Sequence, residues 1–239
     1  MKKNIFISGI VALFALLLLG SCNKDLNRTP SDAQTAEQIY STAEGYKLAF
    51  VKVYGSFALT GNDGSGSGDI QGIDAGTSDF FRLFWNVQEL PTDEAVVAWG
   101  DAGLQDFHNM NWSASNPFLT GLYYRSLYQI TLANDFIRQS ADSKLTSHGI
   151  SGADADKIRR YKSEARFLRA YQYWVLMDLY GNPAFPTDSV EIGSIPHQIK
   201  RADLFNYIES ELKAIDGQLA PAKTNDYGRA DQAAEWALL

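Results

Sequence analysis

The 239 residues include a single cysteine and three histidines. One cysteine, Cys22, excludes an intrachain disulfide framework, and it leaves no thiolate pair for a structural zinc site. His108, His148 and His197 are widely spread and form no H-E-x-x-H, so no metal site is expected. No G-x-S-x-G occurs, and the glycine-rich stretch "GNDGSGSGDIQGIDAGTSD" (61–79) fits neither Walker nor dinucleotide spacing. Nothing calls for a cofactor. Positive charge is also scarce: 21 Lys and Arg stand against 28 Asp and Glu, a formal net charge of −7. That balance argues against nucleic acid and against an anionic lipid surface as partners.

Long apolar runs are almost absent as well. The one run, residues 10–19, follows Lys2 and Lys3 and is too short to span a bilayer comfortably, which takes about 20 apolar residues. It ends in "LLLLGSCNKDL" (16–26), where small residues precede Cys22. This is the form of a lipobox, so residues 1–21 read as a lipoprotein signal peptide and Cys22 as the lipidated N-terminus. A lone structural thiol is the alternative. Cleavage removes Lys2 and Lys3 and makes the chain more acidic still. The polar, proline-containing stretch 22–35 then reads as a tether.

What is present is helical periodicity and many aromatics, 13% of the chain. Ser41-x-x-Glu44 has capping-box form, and Tyr46, Phe50, Val53 and Phe57 follow at helical spacing. Residues 61–79 form a loop too long for a simple connection. "FFRLFWNVQEL" (80–90) reads as a short helix ended by Pro91, and 91–117 as a second irregular region carrying Trp99 and Trp112. Helices are expected over 118–141, with Leu122, Leu127, Ile130, Ala133 and Ile137 inward, over 154–180, stopped by Gly181 and Pro183, and over 202–219. A fourth opens at Ala230 and meets the end of the sequence in mid-pattern. The fold class is therefore mainly α: tetratricopeptide-like helical hairpins with long irregular loops.

Several polar clusters have a plain reading. Glu164, Arg166 and Arg169 fall at helical spacing and read as interhelical ion pairs. Tyr171, Tyr173 and Trp174 read as helix packing, with Leu168, Val175 and Leu179 buried between helices. Asp93 and Glu94 are adjacent and so poorly placed to flank a glycosidic bond; capping the turn after Pro91 suits them better. Asp154-x-Asp156 lacks the rest of a calcium loop. No catalytic residues stand out, and the chain does not read as an enzyme. Trp99 lies beside Gly100 and Asp101 in irregular chain, where it is either folded over the core or exposed as a binding platform.

The segments "EARFLRAYQYWVLMDLYGNPAF" (164–185), "YGRADQAAEWALL" (227–239) and "QELPTDEAVVAWGDAG" (88–103), with the "SCNKDL" start, resemble the SusD/RagB family of Bacteroidetes outer-membrane lipoproteins. Within the family, the resemblance is strongest to its starch-binding members. Members are about twice this length, so residues 36–239 read as the N-terminal part of a SusD-like glycan-binding domain. The resemblance implies a lipid-anchored, surface-exposed outer-membrane protein that captures starch or malto-oligosaccharides and passes them to a SusC-like TonB-dependent transporter. It also implies a glycan site at Asp74, Arg82 and Trp99, with Asp101 beside them. Ala102 and Val97 depart from the starch-binding pattern, which has asparagine and tryptophan there. The alternatives are another glycan or a peptide as ligand, or a helical-repeat scaffold with none.

Overall fold

The computed structural model describes residues 34–61, 68–70, 74–190 and 193–239; Cys22 and most of the expected tether lie outside them. By its contacts the chain divides into Met1–Ile39 and Tyr40–Leu239. The described part of the first unit is one short helix, α1 (Ala36–Ile39). Thr35 and Gln38 cap it reciprocally, each backbone N–H donating to the other's side-chain oxygen.

The second unit contains α2 (Ala43–Ala58), α3 (Phe80–Glu89), α4 (Gln105–His108), α5 (Pro117–Gln139), α6 (Asp142–Ser147), α7 (Gly152–Tyr180), α8 (Arg201–Ile215) and α9 (Gln232–Leu238). The architecture is mainly α with tetratricopeptide-like hairpins. Among the described residues the only strand-type pairing is an isolated bridge between Ala184 and Gln198. The cap of α2 is shifted by one residue from the expected Ser41: Thr42 accepts from Gly45 N–H at 3.1 Å. The helices at 118–141 and 202–219 end earlier than their apolar patterns suggest, at Gln139 and Ile215. α6 fills part of the expected turn before α7.

α7 is buried on most of its circumference because α2, α5 and α8 all pack against it. Pairwise contacts fix the directions. Tyr180 at the end of α7 donates to the Leu119 carbonyl at the start of α5, while Arg169 reaches Asn134 further along, so α5 and α7 are antiparallel. Ser163–Gln218 and Arg166–Glu211 make α7 and α8 antiparallel too. Phe50–Tyr161, stacked at 4.2 Å, and Phe57–Tyr171 run α2 parallel to α7. Leu168, Val175, Leu122, Ile130, Ala133 and Ile137 are buried as the periodicity predicts. Leu127 and Leu179 are only half-buried, because they lie at the edges of the interfaces. Tyr173 is fully buried; Tyr171 and Trp174 pack half-exposed against the core. α7 ends where Gly181 adopts φ 73°, a conformation that favours glycine, and its N–H caps the Met177 carbonyl.

The ion pairs expected around 164–169 are interhelical. Glu211 on α8 takes Arg166 at 2.9 Å and Arg169 at 2.7 Å, and Asp188 also takes Arg169. Burial alone would push the Glu211 carboxyl up, but hydrogen bonds from the two guanidinium groups hold it below its ordinary value. Glu164 pairs with Arg229 and accepts from the Tyr54 hydroxyl at 2.7 Å, which ties the "YGRADQ" segment to α2 and α7.

Candidate functional site

The two irregular regions and the short helix between them converge on one surface. α3 begins at Asp79, whose carboxylate accepts from Arg82 N–H at 2.9 Å. Phe80, Leu83 and Val87 sit at helical spacing and are buried. Phe80 stacks on Phe84 at 5.5 Å, and Phe84 in turn meets Trp174 of α7. This inner face fixes the rotation of α3, so that Arg82 and Trp85 fall on its outer side.

The segment before α3 is pinned from within. Arg125 on α5 is 0% exposed; its Nε donates to the Ser78 carbonyl at 2.8 Å and its Nη1 to Asp69 at 2.8 Å. Asp74 lies between those two anchor points. Its Oδ1 accepts from Gly76 N–H at 2.8 Å, and the Gly76 carbonyl accepts from Arg82 Nη1. Asp74 and Arg82 are thus linked through a single glycine.

The segment after α3 is closed by two amide side chains. Gln105 Nε2 donates to the carbonyls of Val97, at 2.6 Å, and Trp99, at 3.0 Å. Asn116 caps α5 through Oδ1 and, through Nδ2, donates to the Gly103 carbonyl at 2.7 Å. Gly103 sits at φ 87°, and a Cβ there would meet Asn116 Nδ2 and Pro117 Cδ at 2.9 Å, so no other residue fits without a shift. The turn after Pro91 is held by Thr92, whose hydroxyl accepts from Glu94 N–H and donates to the Glu89 carbonyl. The capping role expected of Asp93 and Glu94 is filled by this hydroxyl, which bonds backbone groups on both sides of Pro91.

Trp99 is 60% exposed, and the Arg82 guanidinium lies over its ring, 4.8 Å from the centroid. The indole is therefore not folded into the core. Arg82, Trp85 and Trp99 line a hollow of about 460 Å³, and Asp74 and Asp101 line a second of about 510 Å³. Val97 and Ala102, the two departures from the starch-binding pattern, line the first and second hollows respectively. So the four expected residues sit in two pairs, on two hollows lined by neighbouring residues of α3, Arg82 and Leu83, and of the 97–102 strip. Trp85, 45% exposed, lines the first hollow and is not among the residues expected from the sequence. Its signal is its position three residues after Arg82, off the Phe80–Leu83–Val87 face. Among the described residues no three His, Cys, Asp or Glu side chains gather as a metal site.

Chemically, the surface offers exposed indole faces, a guanidinium and two exposed carboxylates. That combination suits a ligand with apolar faces edged by hydroxyls.

No protein-family model matches the chain. The Starch-binding protein SusD of Bacteroides thetaiotaomicron is 35% identical over 231 residues, 95% of this chain and 39% of the relative. Over these residues the chain is a SusD homologue. It spans about 39% of that relative's length. Surface glycan-binding protein A from Bacteroides fluxus shares its fold at TM-score 0.60 and 21% identity, over 82% of this chain and 38% of that one. A laminarin binding SusD-like protein does so at TM-score 0.56 and 20% identity, over 82% and 38%.

Proposed function

We propose that the chain forms part of a non-enzymatic glycan-binding lipoprotein on the outer membrane, anchored through Cys22. It captures starch or malto-oligosaccharides for uptake through a SusC-like TonB-dependent transporter. The observation that carries this reading is the exposed Trp99 indole held under Arg82. A sugar ring presents C–H groups on its faces and hydroxyls at its rim. One indole face is occupied by the guanidinium, and the other is left as a platform, with Trp85 in the same hollow. Asp74 and Asp101 supply acceptors for rim hydroxyls in the adjoining hollow. The starch-binding name of the relative favours an α-glucan.

Two carboxylates lining one hollow raise the question of hydrolysis. A general acid needs an apolar pocket that keeps its proton near neutral pH. Asp74 and Asp101 are both exposed, which favours binding over catalysis. A second reading concerns the sugar. Val97 and Ala102 remove an indole and an amide from the starch-binding pattern, and a fold neighbour carries a laminarin-binding name. A β-glucan is therefore the competing ligand.

Trp99→Ala tests the reading. Loss of a central aromatic anchor costs about 2 kcal/mol or more, roughly thirty-fold in affinity. Calorimetric titration with maltoheptaose should show that loss with the fold intact. Unchanged binding would move the site elsewhere, and an unfolded variant would return Trp99 to the core.

A further inference from the structure

A third hollow, of about 640 Å³, lies at the N-terminal turns of α5, walled by Trp112, Tyr123, Tyr124, Leu179 and Tyr180. Its back wall is fixed. The Tyr180 hydroxyl donates to the Leu119 carbonyl at 2.6 Å, the Tyr123 hydroxyl accepts from Ala184 N–H at 3.0 Å, and the two rings meet edge to face at 5.1 Å. Its rim is open: Trp112 is 42% and Tyr124 52% exposed. Trp112 is steadied by the buried Phe107, 6.0 Å away between centroids.

Among the described residues no charged side chain lines this hollow; its polar side-chain groups are the Trp112 indole N–H and hydroxyls, including Ser113 and Thr120. Such a lining does not suit a phosphate, a carboxylate or a cation. It suits a neutral ligand with apolar faces and hydroxyl edges. Thr120 also lines the hollow that carries Asp74 and Asp101, so the two share a border across the first turns of α5.

We propose that this hollow is a second sugar subsite, with Trp112 and Tyr124 as its platforms. One glycan chain would run from Trp99 past Asp101 and Thr120 into it. The inference rests on the glycan-binding reading above for the class of ligand, and adds that the ligand is recognised by length. Platforms on one strand act as linked sites: a chain too short to reach both gains only one, whereas a longer one gains the second without a second loss of translational freedom.

Titration of the chain with maltotriose and maltoheptaose, and with laminari-oligosaccharides of the same two lengths, tests it. In the series that binds, the longer member should bind more tightly. Trp112→Ala and Tyr124→Ala should each lower affinity for the longer member about five-fold or more and leave the shorter unchanged. Trp99→Ala should lower both. Should Trp112→Ala fail to fold, Tyr124→Ala decides, since that ring is half outside the core. A folded Tyr124→Ala variant that keeps the full preference for the longer chain overturns the second subsite. If Trp99→Ala changes neither affinity while Tyr124→Ala weakens the longer ligand, the second subsite stands and the Trp99 site falls.

Discussion

Arg125 and Asp69 are 56 positions apart and joined at 2.8 Å, the arginine fully buried and the aspartate nearly so. The pair closes the long Gly/Ser/Asp loop onto α5, and the same guanidinium holds Ser78 beyond it. Burial, with Asp69 adding, pushes the Tyr128 phenol up beside this pair. A buried charge that loses its paired carboxylate costs about 3–5 kcal/mol, whereas removing both charges costs far less. Arg125→Met and Asp69→Asn should each destabilise strongly, and the double variant should lose much less than their sum. Denaturant melts of the four proteins measure this. Additive losses would mean that the pair does not close the loop.

Leu168 faces the α7 interfaces, and truncating it removes packing and leaves a cavity. Leu168→Ala should cost about 2–5 kcal/mol in thermal denaturation. Leu179→Ala should cost less, because that side chain is half-buried at the edge of the third hollow. Equal losses would mean that burial does not distinguish the two.

The helices were legible because their signals are local. Tyr46, Phe50, Val53 and Phe57 repeat at helical spacing, and Gly181 stops α7 by backbone geometry that glycine alone adopts freely. Which acids meet Arg166 and Arg169 was not legible, since Glu211 and Asp188 arrive from other parts of the chain. The residues near the site divide the same way. Trp99 stands out by its irregular surroundings, whereas Trp85 lies inside an amphipathic helix and reads as packing until the helix's rotation is known. Residue identity cannot reveal that Arg82 covers the indole either, because the Gly76 carbonyl that steers the guanidinium belongs to a loop of no regular form.

The Arg166–Arg169–Glu211–Asp188 cluster predicts acid sensitivity. For Asp188, as for Glu211, burial would raise the carboxyl, but Arg169 holds it below its ordinary value. A group depressed in the folded state contributes stability that is fully present above the unfolded value, about pH 4 to 4.5, and lost as pH falls through the lower folded value. Melting temperature should therefore drop below about pH 4.5. Glu211→Gln should start lower at neutral pH and fall less on acidification. A parallel fall in both proteins would place the acid-sensitive groups elsewhere.

Cys22 lies outside the described residues, and its prediction rests on the lipobox-like "LLLLGSC". Cys22→Ala should abolish acylation and release the protein from membranes. Labelling with an alkyne fatty acid checks it. Equal labelling of both proteins would rule out the lipid anchor.

Among the described residues the Arg82 guanidinium meets the Gly76 carbonyl and the Trp99 ring, and so acts on the platform's orientation. An exposed cation–π contact contributes about 0.5–1 kcal/mol, which corresponds to roughly two- to five-fold in affinity if all of it is used to orient the indole. Arg82→Ala should weaken maltoheptaose binding by about that factor, well short of the loss in Trp99→Ala. Arg82→Lys keeps the charge but not the flat guanidinium that stacks and donates in one plane, so it should fall between wild type and alanine. The Trp99 fluorescence of Arg82→Ala should also be more readily quenched by acrylamide, since the covered face is opened. A loss in Arg82→Ala as large as that in Trp99→Ala, with quenching unchanged, would instead put the guanidinium in direct contact with the sugar.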